Sequence, residues 1–173
     1  MGRALVDTGA VVALVNRDDR YHGEAVEWFR RFRGLLLTTE AVITETAYVL
    51  AASPDHQRAA LLWFERARAA GLLQVEAVAD YAVLARIIAQ YGSLPCDYAD
   101  ASLIALAERT GVVAIATVDQ RDFSVYRLRG RRRFRSARTS RSARRSWRGL
   151  RAADEGVGGQ SGLDTAALLA RRA

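Results

Sequence analysis

Short apolar runs alternate with segments of helical period along the first 126 residues. The runs "RALVD" (3–7), "LLLTT" (35–39), "LLQVEAV" (72–78) and "VVAIATVD" (112–119) are rich in β-branched and aliphatic residues, as buried strands are. Between them apolar residues return every three or four positions. "HGEAVEWFRRF" sets Ala25, Trp28, Phe29 and Phe32 on one face, and "EAVITETAYVLAA", "DHQRAALLWFERARAAG" and "ADYAVLARIIAQYG" repeat that spacing. Gly34, Gly71, Gly92 and Gly111 stand where such helices would stop. This β-α-α-β order predicts an α/β domain with a parallel sheet and helices on both faces. Trp28 and Trp63 read as core residues of those helices.

In open parallel sheets, ligands bind beyond the carboxyl ends of the strands, near the point where the strand order reverses. Asp7 follows the first predicted strand and Asp119 ends the fourth. Asp7 lies in "ALVDTGAVVALV", and a charge in such apolar surroundings needs either a cation or a surface. The topology offers it a cleft at the sheet's carboxyl edge.

After about residue 135 the period fails. Residues 135–173 are rich in Arg, Ser, Gly and Ala and read as a disordered tail, with "LDTAALLARRA" as a weak final helix, whereas 1–134 read as one folded domain. The charge divides the same way. Residues 1–126 carry 12 arginines and 16 acids, net −4; residues 127–173 carry 14 arginines and three acids, net +11. The tail is either a nucleic-acid arm, a partner-binding arm or a solvated appendage. The chain has no lysine, which excludes P-loop nucleotide binding and receiver-type phosphoacceptor chemistry. Its single cysteine, Cys96, excludes an intrachain disulfide and any cysteine-based zinc cluster. With no apolar signal core near residue 1 and no run of about 18 apolar residues, the expectation is a cytoplasmic protein without a membrane segment.

Several carboxylates are placed to act together. Glu45 follows the second strand on a helix, with Val42, Tyr48 and Val49 at neighbouring helical positions. It is either a site residue or an edge glutamate covered by its own methylenes. Asp97, in "PCDYADASLIALAERTG", is either an N-cap or a site residue. Asp100 sits inside the first turn of that helix, flanked by Ala99 and Ala101, where an anion is favoured but no cap is required. Asp119 ends an apolar strand two residues after Thr117, and Asp122 fits an Asx turn before Phe123. Converging carboxylates repel, and a hard divalent cation resolves the repulsion. Oxygen-only donors select Mg2+ or Mn2+, while His22 and His56 read as surface or capping groups. Such a site suits phosphodiester hydrolysis.

The four stretches "LVDTGAVVAL", "TEAVITETAYVL", "DYADASLIALAERTG" and "ATVDQRDF", in this order, resemble the PIN-domain family, and within it the VapC-type toxins of bacterial toxin–antitoxin pairs. The resemblance spans roughly residues 4–128. It implies a three-layer α/β/α fold with a central parallel sheet. It also implies a Mg2+- or Mn2+-dependent endoribonuclease that cuts RNA, often transfer RNA, is homodimeric, and is neutralised by a cognate antitoxin. By motif, Asp7, Glu45, Asp100 and Asp119 form the acidic quartet. Asp7, Asp100 and Asp119 would hold metal and Glu45 would ligate it or orient water. Thr8 and Thr117 match hydroxyl positions near metal or phosphate, with Asp97 beside them. The residues beyond 135 depart from the family pattern.

Two other readings share these residues. "DTGA" (7–10) resembles the active-site turn of retroviral-type aspartic proteases, in which one Asp per subunit pairs across a dimer, but the helical periods that follow do not suit that nearly all-β fold. A non-catalytic RNA- or antitoxin-binding module using the basic tail is the alternative of a different class; steeply salt-dependent binding would mark it.

Overall fold

The computed structural model describes residues 2–78, 80–92, 94–128 and 132–137, with residues 120–122 described by their backbone. Twelve elements follow in order: β1 (Gly2–Val6), α1 (Thr8–Val15), α2 (His22–Arg31), β2 (Gly34–Thr39), α3 (Glu40–Val49), α4 (Pro54–Ala69), β3 (Leu73–Glu76), α5 (Tyr81–Gln90), α6 (Tyr98–Thr110), β4 (Ala114–Ala116), α7 (Gln120–Val125) and β5 (Arg135–Ser136). The strands form one sheet in the order β3-β2-β1-β4-β5, and every pairing is parallel. The order reverses between β1 and β4, so their carboxyl ends flank the crevice where such sheets bind ligands.

Alternation along the strands divides the core in two. Leu5, Leu37 and Ile115 face the buried residues of α5 and α6, whereas Ala4, Val6, Leu36 and Ala116 face those of α1, α2 and α4. Helices therefore cover both faces, and the architecture is the expected three-layer α/β/α. A parallel sheet clad in helices is incompatible with the nearly all-β aspartic protease reading of "DTGA", since the residues after Asp7 form α1.

Local chemistry sets the ends of these elements. Asp7, Thr39, Ser53, Asp80 and Asp97 cap α1, α3, α4, α5 and α6, each accepting a backbone N–H of the first turn. Gly111 ends α6 at φ 72°, a left-handed conformation that favours glycine. Trp63 is buried, while Trp28 stacks on Phe32 at 4.9 Å and donates from Nε1 to the Ala137 carbonyl.

Four expectations are corrected. Gly34 does not stop a helix: α2 ends at Arg31, and Gly34 opens β2 where a Cβ would lie 2.1 Å from the Gly2 carbonyl oxygen. The fourth strand spans three residues rather than eight, since β4 pairs with Leu5 and Val6 on one side and with Arg135 and Ser136 on the other. Asp122 lies within α7 rather than in an Asx turn; Phe123 and Tyr126, three positions apart, are both buried and favour one helical turn there. Arg135 and Ser136 add a strand at the start of the segment read as tail, and residues 138–173 lie outside the described residues. Among the described residues, no helix is long and apolar enough to cross a membrane.

Candidate active site

Asp7 caps α1 immediately after β1. Its backbone N–H donates to the Ala116 carbonyl at 3.0 Å, which carries the β1–β4 ladder past the strands' ends and fixes Asp7 at the crevice. The side chain is buried and held at both oxygens: the Thr8 backbone N–H donates to Oδ1 at 2.7 Å and the Thr117 hydroxyl to Oδ2 at 2.8 Å. Burial still dominates, and pushes the Asp7 carboxyl up to about 6 despite those donors.

Glu45 projects from α3, which is capped and oriented by Thr39. The Thr8 hydroxyl donates to Glu45 Oε2. Asp7 and Glu45 are therefore linked through two donors of one residue, Thr8. Burial, then the neighbouring Asp97 carboxylate and the Asp7 charge, push Glu45 up to about 7, while the Thr8 hydroxyl opposes them. Tyr48 and Val49, expected beside Glu45 on a buried face, are 81% and 52% exposed; α3 buries Ala41, Val42 and Thr46 instead. Glu45 is half-buried at the margin of that face.

Asp97 and Asp100 come from the start of α6. Asp97 Oδ1 accepts the Asp100 backbone N–H at 2.9 Å, so Asp97 is the N-cap, and its closeness to Glu45 also places it in the carboxylate cluster. Capping and membership of the cluster are not alternatives for this residue. Asp100 receives the Tyr126 hydroxyl on Oδ2 at 3.1 Å. Burial, followed by the charges of Asp7 and Asp97, pushes Asp100 up to about 7.

The principal charges acting on Asp7, Glu45 and Asp100 come from one another and from Asp97. Asp119, expected to complete the quartet, is exposed beyond β4 and joins the site by its backbone: its N–H donates to the Thr117 hydroxyl at 2.9 Å. Thr8 and Thr117 are both present, as donors to carboxylates. Tyr126 was not singled out by the sequence, because only the fold reveals that the residue after α7 returns to α6. Among the described residues, no arginine or histidine forms an ion pair with Asp7, Glu45, Asp97 or Asp100. His22 and His56 lie at the starts of α2 and α4, as expected of capping or surface groups.

Asp7, Glu45 and Asp100 hold protons close to neutrality, and a divalent ion would displace them. The donors are all oxygen, which suits a hard cation. Among the described residues no three such side chains already enclose an ion-sized space. A separate cavity of about 230 Å3 lies between α5, α6 and the end of β3; it reaches Thr39 and Ser102 but none of the four carboxylates, so the chemistry does not reside in it.

A family model described as "PIN domain" matches residues 4–128. No curated protein sequence matches the chain. Among solved structures, the chain is similar to VapC20 of Mycobacterium tuberculosis, described as a Sarcin-Ricin loop cleaving toxin, at a TM-score of 0.60 and 23% identity. The match covers 69% of this chain and 92% of that one.

Proposed function

The chain belongs to the PIN-domain family, matched over 4–128, and from that premise we propose that it is a metal-dependent endoribonuclease, the toxin of a toxin–antitoxin pair. The observation that carries this reading is the convergence of Asp7, Glu45, Asp97 and Asp100 at the β1–β4 crevice. Asp7, Glu45 and Asp100 are each raised to about 6–7 there, and none is ion-paired with an arginine or histidine among the described residues. Asp7 and Asp100 would hold Mg2+ or Mn2+, with Asp119, exposed just beyond β4, as the third metal residue the motif supplies. Such an ion supplies activation of water and stabilisation of charge on the phosphoryl group.

The chain's own residues do the rest. Thr8 and Thr117 orient Asp7 and Glu45 through their hydroxyls and the Thr8 N–H. Glu45, at the edge of the cluster and near neutral pKa, is suited to accept a proton from water during hydrolysis. The acidic crevice would repel free RNA, so the arginines beyond residue 126 offer the complementary charge. The substrate is RNA, with transfer RNA and ribosomal RNA loops as the two classes to assay. The partner is a cognate antitoxin. Tyr48 on α3, Tyr81 on α5 and Tyr98 on α6 are exposed aromatic groups that a second copy could cover, consistent with a homodimer.

The test is cleavage of total RNA by the purified chain with Mg2+ or Mn2+, with and without EDTA, beside Asp7→Asn and Asp100→Asn. Metal-dependent cleavage lost in both variants is the expected result. Salt-sensitive RNA binding without turnover would favour the non-catalytic binding module instead.

A further inference from the structure

Tyr126 is the largest of the fully buried side chains, yet its hydroxyl ends at the carboxylate cluster. The ring is held edge-on between Tyr91 (centroids 4.9 Å apart) and Phe123 (5.3 Å), and Phe123 in turn meets Phe134 at 5.3 Å. The following residue is pinned as well. Tyr91 donates its hydroxyl to the Arg127 carbonyl at 2.9 Å and accepts the Arg127 N–H at 2.7 Å. A phenol this constrained has one direction available, and it points to Asp100 Oδ2.

The side chain of Cys96, just before α6 and buried, lies beside the Tyr126 hydroxyl. Burial, aided by the nearby Asp100 charge, pushes the Cys96 thiol up to about 11, so the phenol's neighbour is uncharged at physiological pH. The Tyr126 hydroxyl therefore has one hydrogen-bond acceptor among these groups, Asp100 Oδ2 at 3.1 Å.

Resting on the metal-dependent reading above, we propose that Tyr126 is a positioning residue of the cation site: its phenol, held by the aromatic cluster, fixes the Asp100 carboxylate in the conformation that receives a divalent ion. Groups that hydrogen-bond a ligating carboxylate set its orientation, and removing one typically weakens metal binding by about 10–100-fold. Tyr126 touches no substrate on this account. It acts through Asp100.

The experiment measures Mn2+ binding to the full, metal-free chain by isothermal titration calorimetry, with melting temperature followed in parallel. Tyr126→Phe keeps the ring and removes the hydroxyl; it is expected to raise the Mn2+ dissociation constant at least about tenfold. Tyr21→Phe removes a phenol packed on the other side of the sheet, and is expected to bind Mn2+ as the parent does. Unchanged affinity in Tyr126→Phe, or equal weakening in Tyr21→Phe, overturns the positioning role while leaving the metal reading standing. A parent chain that binds no Mn2+ overturns the metal reading, and this inference with it.

Discussion

The Thr117 hydroxyl donates to Asp7 Oδ2 at 2.8 Å, joining the residue after β4 to the residue after β1 across the reversal in strand order. The same hydroxyl accepts the Asp119 backbone N–H at 2.9 Å. One side chain thereby sets both the orientation of Asp7 and the path of the chain leading to Asp119. Thr117→Val preserves shape and removes both bonds. We expect it to fold, to lower RNA cleavage by about 10–100-fold, as loss of a carboxylate's orienting donor does elsewhere, and to raise the Asp7 carboxyl further above 6. Steady-state cleavage rates across pH compare the variant with its parent; equal activity would show that Asp7 is oriented without Thr117.

The metal-free protein should lose stability as pH rises. In the unfolded chain Asp7 titrates near 3.8, whereas in the fold it titrates at about 6, and Glu45 and Asp100 at about 7. Between about pH 4 and 7 the folded state therefore binds more protons than the unfolded one, so its stability is full at the acid end and falls through this window. Asp7, the most deeply buried of the three, contributes about 2–3 kcal/mol of this loss, roughly 5–10 °C of melting temperature in a chain of this size. Asp7→Asn is expected to abolish cleavage yet to melt above the parent at pH 8 in EDTA, with the gap closing by pH 5. Differential scanning calorimetry at both pH values decides it. A parent melting point that rises over this window would contradict the burial of Asp7 as a charge.

Gly9 supplies room that no other residue would leave. A Cβ there would stand 2.5 Å from Val118 Cγ2 and 3.6 Å from Asp7 Oδ2, so α1 can approach the turn after β4 only without a side chain. Gly9→Ala is expected to cost about 1–3 kcal/mol through overpacking and to reduce cleavage by displacing the Thr117–Asp119 turn. Adding Val118→Ala removes the clashing methyl and should restore much of both. Chemical denaturation of the two singles and the double gives the coupling. Additive losses would place the strain elsewhere.

Legibility followed the range of the interaction. β1 and β2 were readable because their short apolar runs of aliphatic and β-branched residues are local, and Asp7 was readable because a carboxylate inside an apolar run is itself a local anomaly. Asp97 showed its capping role in the sequence, but its closeness to Glu45 depends on α3 and α6 meeting. Tyr126 carried no signal: a tyrosine after an amphipathic turn looks like core, and only the fold turns its hydroxyl toward Asp100. Asp119 divides the same way. Its place after a strand is a local feature, whereas the exposure of its carboxylate follows from the path the backbone takes into α7. Tyr48 and Val49 misled for the related reason that a period of 3.6 identifies a face without saying which neighbour covers it.

The basic C-terminal segment makes the last prediction. Residues 1–126 are net −4 and residues 127–173 net +11, so phosphate attraction resides almost wholly in the latter. Truncation after Ala137 retains β5 and the Trp28–Ala137 hydrogen bond while removing eight arginines and three acids. Because the carboxylates and their donors all lie before that point, turnover at saturating RNA should be preserved. Encounter should not be: KM is expected to rise at low salt, and the dependence of log affinity on log salt to flatten by about 0.7 for each phosphate of single-stranded RNA that is no longer neutralised. Cleavage rates and fluorescence-anisotropy binding from about 50 to 300 mM salt separate the two effects. An unchanged salt slope would relieve the segment of any role in holding RNA, and loss of turnover in a normally melting truncation would bring it into the site itself.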